Sequence, residues 1–193
     1  MFSWLTFLTY AVVTAATPGP NNLASMSLGG RLGFRRALPF NLGIWVGFSA
    51  LAVLCTLGCT LLSALIPKIR LPMLVVGAAY ILHLAWATFR AGDDLGEGMS
   101  VGGFWSGVAL QFLNPKAYLY CIVSMEAYIL PYYSQQPAAL LLFALLLAGI
   151  GAAFTVCWSA FGSVFRALFS RYARVTNTIM ALLLVYCAVS LFL

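Results

Sequence analysis

Long apolar runs, separated by short polar gaps, make up most of the chain. Each run has about the 20 residues, or more, that a helix needs to cross the hydrocarbon core of a bilayer. The gaps are too short for a further domain, so the pattern predicts an all-α membrane protein with one domain, 1–193. The predicted spans are 2–28, 38–66, 71–89, 104–130, 137–165 and 175–193, with a short turn at 67–70.

Charge is scarce along the chain. Hydrophobic residues make up 63% of the 193 residues and charged residues 7%, against about 25% charged residues in a soluble domain. This composition excludes a soluble enzyme and implies the lipid bilayer as a partner. The net charge of +6 would favour nucleic acid only if the basic residues were clustered. They are scattered through the gaps, so we expect no nucleic-acid partner.

The basic residues predict the orientation of the spans, because Lys and Arg gather on the cytoplasmic side of membranes. We therefore expect the first, third and fifth gaps in the cytoplasm and both termini outside it. Only Lys68 and Arg70 lie in the remaining gaps, and Lys116 lies within a span. The first, third and fifth gaps hold Arg31, Arg35, Arg36, Arg90, Arg166, Arg171 and Arg174.

The cysteines lie inside apolar runs and form no CxxC pair. With a single histidine in the chain, they cannot complete a zinc site at ordinary ligand spacing. We therefore expect no metal and no cofactor, and cysteines that pack as small apolar residues. The five cysteines are Cys55, Cys59, Cys121, Cys157 and Cys187.

The first apolar run contains a break rich in proline. Each proline removes a backbone donor and frees the carbonyl four residues earlier, and the glycine between them adds conformational freedom. Irregular backbone at this depth is tolerated only against protein or a wet cavity. The two asparagines then begin a new half-helix, whose N-terminal N–H groups suit a carboxylate. We predict hinge positions at Pro18, Gly19 and Pro20, and substrate-binding positions at Asn21 and Asn22.

A second break lies in the fourth run, where Pro115 follows Asn114 and precedes Lys116. A lysine near the middle of a span costs about 2.5–3.5 kcal/mol on insertion scales and normally faces the protein interior or a cavity. Gln111 and Asn114 carry amides beside it. We predict that Gln111, Asn114 and Lys116 bind substrate and that Pro115 is a hinge. Lys116 either attracts a substrate carboxylate or titrates in ion coupling.

Two further polar residues are candidates for the same site. Asn41 lies early in the second span and Tyr80 in the third, where either could face the cavity or serve in helix packing. The chain also divides into halves, 1–97 and 98–193, each of three spans with a broken first helix. Because three is odd, such halves would have opposite orientations, as in many transporters.

At these positions the chain resembles the LysE/RhtB family of bacterial amino-acid exporters. The resemblance rests on Ala16-Thr17-Pro18-Gly19-Pro20-Asn21-Asn22, Gly77-Ala78-Ala79-Tyr80, Ala85-Trp86 and Gln111-Phe112-Leu113-Asn114-Pro115-Lys116. Within the family, residues 109–112 and 181–189 are similar to the branch that exports cysteine and O-acetylserine. The resemblance implies a transporter of the bacterial inner membrane, not an enzyme. It also implies efflux of small amino acids, with protons as the coupling ion.

Two other functions stay open at this point. A membrane electron carrier could pass thiol–disulfide equivalents through its cysteines, and Cys121 lies just beyond the second break. A passive channel for small solutes would need the same cavity but no coupling ion. The sequence also leaves open whether the chain forms a homo-oligomer.

Overall fold

The structure is a computed structural model that describes residues 2–90, 102–165, 167, 171–190 and 192, with the backbone alone at 59–70, 73 and 173. The described part of the chain is helical throughout and contains no strand, which confirms the predicted all-α class. The helices are α1 Trp4–Ala16, α2 Pro20–Leu32, α3 Phe34–Leu57, α4 Cys59–Arg90, α5 Phe104–Leu113, α6 Pro115–Val123, a π-helix Ser124–Ile129, α7 Leu130–Tyr133, α8 Pro137–Val164 and α9 Ala173–Ser190.

Both predicted breaks are present. Residues 17–19 separate α1 from α2, and Pro20 takes the first helical position of α2. Asn114 separates α5 from α6, which begins with Pro115 in the same way. Proline suits this position because its missing N–H would have no partner within the helix.

The predicted turn at 67–70 is wrong. Those residues lie within α4, a helix of 32 residues and therefore about 48 Å long. The chain turns instead at Gly58, which ends α3. Proline is tolerated inside membrane helices because neighbouring groups can satisfy the freed backbone, so Pro67 did not mark a helix end.

Among the described residues, α3 and α8 are the helices long and apolar enough, by length and composition, to cross a bilayer. Shorter apolar segments are Trp4–Ala16 and Phe104–Leu113, each of which ends at a break, and Arg174–Ser190. Leu74–Arg90 is the apolar part of α4 whose side chains are described. α8 agrees closely with the predicted span 137–165. The third predicted gap contains Asp93, Asp94 and Glu97, and residues 91–101 lie outside the described ranges.

The bundle has two ends, which we name after residues that lie there. At the Arg31 end, α2 and α8 finish while α3 and α5 begin, and the backbone N–H of Phe34 donates to Ser163 Oγ at 3.1 Å. At the Trp4 end, the rings of Phe2 and Trp4 contact Phe143 of α8, with centroids 5.4 and 5.5 Å apart.

Each half of the bundle has its own apolar cluster. In the half towards the Trp4 end, α1, α3, α6, the π-helix and α8 bury Phe7, Leu51, Met125, Ile129 and Leu147. In the half towards the Arg31 end, α2, α3, α4, α5 and α9 bury Phe40, Ile81, Leu110 and Leu184. The two helix breaks lie between these clusters.

In the half towards the Arg31 end, α2 and α8 pack backbone to backbone through a pair of glycines. A Cβ on Gly29 would lie 2.1 Å from the carbonyl oxygen of Ser159. A Cβ on Gly162 would lie 2.1 Å from that of Met26. Because each helix presents a glycine to the other helix's carbonyl, the contact is reciprocal and leaves no room for a side chain on either side.

The same arrangement joins α3 to α5. A Cβ on Gly43 would lie 2.0 Å from the carbonyl oxygen of Phe104, and a Cβ on Gly107 would lie 2.2 Å from that of Phe40. We call these two contacts the α2–α8 and α3–α5 glycine seams. Both lie in the half of the bundle that ends at Arg31.

Candidate functional site

One cavity lies where the two breaks meet, and it holds about 60 Å³ of space that water can enter. The end of α1 and the start of α2 line one side of it. Asn114, α6, α3 and α8 line the rest. The lining residues are Thr14, Ala15, Gly19, Pro20, Asn21 and Asn22 from the first break, Asn114, Lys116, Ala117 and Tyr120 from the second, and Ile44, Phe48, Gly151 and Thr155.

Asn22 bridges the first break through its side-chain hydrogen bonds. Its side-chain amide donates to the carbonyl oxygens of Ala15 and Thr17, both at 2.9 Å. These carbonyls lie at the C-terminus of α1, where the last four carbonyls of a helix have no partner within the helix. The Asn22 amide therefore holds α1 and α2 together across the break, and its donors are not available to a ligand.

Two more freed carbonyls of α1 also find side-chain donors. Thr17 Oγ1 donates to the carbonyl of Thr14 at 2.8 Å, and Trp158 Nε1 of α8 donates to that of Ala16 at 3.3 Å. These are the carbonyls that Pro18 and Pro20 deprive of their helical donors. The break is thus satisfied by protein groups, as buried backbone requires.

The second break is capped by Asn114. Its side-chain oxygen accepts from the backbone N–H of Lys116 at 3.1 Å, as at a helix N-cap. Its side-chain amide donates to Asn21 Oδ1 at 3.0 Å. Gly77 of α4 packs against this break, since a Cβ there would lie 2.2 Å from the carbonyl oxygen of Leu113.

Asn21 and Gln111 join the two breaks through paired amides. Asn21 Nδ2 donates to Gln111 Oε1 at 2.9 Å, and Gln111 Nε2 donates back to Asn21 Oδ1 at 3.3 Å. Gln111 also donates to the carbonyl of Gly107 and is fully buried. These side chains position one break against the other. The groups left to meet a ligand are the backbone N–H groups at the start of α2, which no described side chain caps.

Lys116 reaches across the cavity from the second break to the first. Its Nζ donates to Thr17 Oγ1 at 3.0 Å and to the Thr17 carbonyl at 3.2 Å. None of the described side chains that line the cavity is acidic. The lysine charge and the N-terminus of α2 therefore give the cavity a positive character that suits an anion.

Gly19 matters for a different reason from the one that the sequence suggests. Its φ of −168° and ψ of 175° are extended values open to any residue, so the turn does not depend on glycine's conformational freedom. A Cβ at this position would lie 3.0 Å from Lys116 Nζ and 3.2 Å from Lys116 Cδ. Glycine provides room for the lysine.

Asn41 and Tyr80 are not among the residues that line the cavity. Asn41 Nδ2 donates to the carbonyl of Ala37 on its own helix at 3.2 Å. Tyr80 links α4 to α5, since its hydroxyl lies 2.9 Å from Ser106 Oγ and donates to the Ser106 carbonyl at 3.1 Å. The structure gives both residues packing contacts and does not bring them to the other predicted site residues.

Several residues of the site were not predicted from the sequence. Thr17 stands directly before Pro18, and its hydroxyl could have been noted as a partner for a buried cation. Trp158 brings a single N–H donor into an otherwise apolar helix. Phe48 and Tyr120 carried no signal in the sequence, because an aromatic residue in a membrane span is usually packing.

No group of three or more His, Cys, Asp or Glu side chains that could hold a metal occurs within the described ranges.

Comparison with known proteins supports the resemblance seen in the sequence. Residues 12–193 match the profile of the family described as "LysE type translocator". A "Cysteine/O-acetylserine efflux protein" of Klebsiella pneumoniae is 40% identical over 184 residues, which cover 95% of this chain and 93% of that protein. Proteins of the same name are 41% identical in Salmonella typhimurium and 39% in Escherichia coli K12, each over 96% of this chain and 95% of theirs. No solved structure matches the chain.

Proposed function

Because the chain belongs to the family of LysE type translocators, we propose that it exports small amino acids and derivatives such as cysteine and O-acetylserine. Export would occur by alternating access, in exchange for protons, across the bacterial inner membrane. The relatives that match almost the whole chain are named for this efflux activity. The single structural observation that carries the proposal is the positively charged cavity between the two helix breaks.

The cavity suits the carboxylate that all amino acids share. Lys116 offers a charge within the bundle, and the uncapped N-terminus of α2 offers backbone donors beside it. Charge-assisted hydrogen bonds of this kind are about twice as strong as neutral ones. We assign the carboxylate to Lys116 and the first turn of α2, while Asn21, Asn22, Gln111 and Asn114 hold the breaks in place.

Binding at Lys116 would also change a contact between the halves of the chain. Its Nζ donates to Thr17, which lies in the first break. A substrate carboxylate would compete with Thr17 for the same donors. Occupancy would therefore loosen one link between the breaks, and Pro18, Gly19, Pro20 and Pro115 would allow the half-helices to move.

We further propose six spans arranged as two inverted repeats, 1–97 and 98–193. Each repeat begins with a broken helix, α1–α2 or α5–α6, and the following helices α3 and α8 pack together, as do α4 and α9. The basic residues would place the Arg31 end in the cytoplasm and both termini outside.

Substitution of Lys116 tests the assignment. In proteoliposomes, Lys116→Ala should lose most counterflow of O-acetylserine, because the carboxylate loses its charged partner. Arg35→Ala, which removes an exposed cation at the start of α3, is the matched control and should transport normally. Normal counterflow by a folded Lys116→Ala protein would show that the carboxylate site is misplaced.

The arginine variant separates the two roles left open for Lys116. Arginine keeps its positive charge and does not lose its proton in proteins. If Lys116 only anchors the carboxylate, Lys116→Arg should keep accumulation driven by a pH gradient. If it carries the coupling proton, the variant should keep counterflow and lose that accumulation.

A second candidate function has one observation in its favour. The thiol of Cys55 on α3 is hydrogen-bonded to that of Cys121 on α6, and both residues are buried. A carrier of thiol–disulfide equivalents would need such a pair. Replacing all five cysteines with serine or alanine should abolish a redox carrier and leave an exporter active.

A further inference from the structure

The hydroxyl of Tyr120 is buried without a hydrogen-bond partner among the described residues. The side chain is 5% exposed and lines the cavity. Leaving a buried polar group unpaired costs about 1–3 kcal/mol. An unpaired polar group in a native structure needs an explanation. Because Tyr120 lines the cavity, a bound ligand could supply the partner of its hydroxyl.

Packing does not account for the hydroxyl. The Tyr120 ring stacks against Phe48 and Tyr10, with centroids 5.6 and 6.3 Å apart. A phenylalanine would make the same ring contacts without the cost. Two half-buried tyrosines do use their hydroxyls: Tyr118 donates to the Phe112 carbonyl at 3.2 Å, and Tyr80 donates to the Ser106 carbonyl at 3.1 Å.

Tyr120 stands one helical turn from the proposed carboxylate site. It follows Lys116 by four residues on α6, so both side chains lie on one face of the helix, about 6 Å apart along its axis. An amino acid whose carboxylate meets Lys116 can extend a short side chain towards Tyr120. Ala117 and Ile44, which also line the cavity, are apolar.

We propose that Tyr120 recognises the polar end of the substrate side chain. Its O–H donates to an acceptor atom there, such as the ester carbonyl of O-acetylserine, and this bond gives the hydroxyl the partner that the described residues do not provide. An aliphatic side chain of similar length would leave the hydroxyl unpaired. This inference rests on the proposed function, and it names the substrate class as small amino acids with an acceptor on the side chain.

The test compares Tyr120→Phe with Tyr118→Phe in counterflow of O-acetylserine and of norvaline, an aliphatic amino acid. We expect Tyr120→Phe to raise the KM for O-acetylserine about tenfold, the loss of one hydrogen bond, and to leave the KM for norvaline unchanged. Tyr118→Phe, on the same helix and outside the cavity, should leave the ratio of the two KM values unchanged.

Thermal unfolding of the empty proteins provides a second measurement. Tyr120→Phe should melt at or above the temperature of the wild type, because it removes an unpaired hydroxyl. Tyr118→Phe should melt lower, because it takes a donor from a carbonyl at the second break. A Tyr120→Phe protein that melts as low as Tyr118→Phe would show that the hydroxyl has a structural partner and would overturn the inference.

The outcomes also separate this inference from the proposed function. A wild type that favours O-acetylserine, with a Tyr120→Phe variant that favours it equally, overturns the inference alone. A wild type that transports neither amino acid overturns the proposed function, and the inference with it.

Discussion

Gly162 allows the sharpest test of how the bundle closes at its Arg31 end. Alanine at this position would place a Cβ 2.1 Å from the carbonyl oxygen of Met26 and 3.0 Å from the backbone nitrogen of Gly30. Both neighbours are backbone atoms of α2, so no side chain can turn aside to make room. The two helices must separate if Gly162→Ala is to fold.

The size of the effect follows from that distance. A carbon–oxygen contact between packed backbones is about 3.3–3.6 Å, so α8 would have to move roughly 1.2 Å or more from α2. Overpacking of this kind costs about 1–3 kcal/mol, and the gain from replacing a helical glycine offsets about 0.5–1 kcal/mol of it. The net loss is then up to about 2.5 kcal/mol, which corresponds to a melting temperature lower by up to about 10 °C.

Gly149 on the same helix is the matched control. A Cβ there would have no described atom within 4 Å, so Gly149→Ala should keep the propensity gain and melt at or above the wild type. The measurement is thermal unfolding of the purified proteins, followed by tryptophan fluorescence. If Gly162→Ala melts as high as Gly149→Ala, the α2–α8 seam does not have the close backbone contact described here.

Two further substitutions test the first helix break. Trp158→Phe removes the donor to the Ala16 carbonyl and should lower the free energy of unfolding by about 1–3 kcal/mol, and with it the melting temperature. The control Trp45→Phe changes an exposed residue and should leave the melting temperature nearly unchanged, so equal effects would contradict the assigned hydrogen bond. Gly19→Ala should displace the end of Lys116 and raise the KM for O-acetylserine in counterflow, without unfolding the protein; an unchanged KM would show that the lysine does not need this space.

The helix breaks could be predicted from the sequence because proline acts locally. Pro20 and Pro115 both begin new half-helices, as their missing N–H groups dictate. Pro67 has the same chemistry but lies inside α4. Pro39 likewise lies inside α3, so a proline by itself does not determine where a membrane helix breaks.

The roles of individual polar residues were harder to predict. Asn21 and Gln111 are 90 positions apart in the sequence, and their pairing appears only when the two breaks meet. In the sequence, each amide was therefore predicted to bind substrate. Tyr120 was missed for a different reason, because the sequence does not show that the hydroxyl of an aromatic residue lacks a partner.

The two ends of the bundle are closed by different kinds of contact, which bears on how alternating access would proceed. Towards the Arg31 end, the glycine seams bring backbone against backbone, so opening there requires whole helices to separate. Towards the Trp4 end, the closure consists of side chains, among them Tyr10, Tyr128 and Phe7, with ring centroids 5.3–6.2 Å apart. Side chains can change rotamer, and the half-helices α1 and α6 can tilt at their breaks, without disturbing the seams. If the protein exports as proposed, opening at the Trp4 end to release the substrate requires the smaller movement. Opening at the Arg31 end, to admit the substrate from the cytoplasm, requires the larger one.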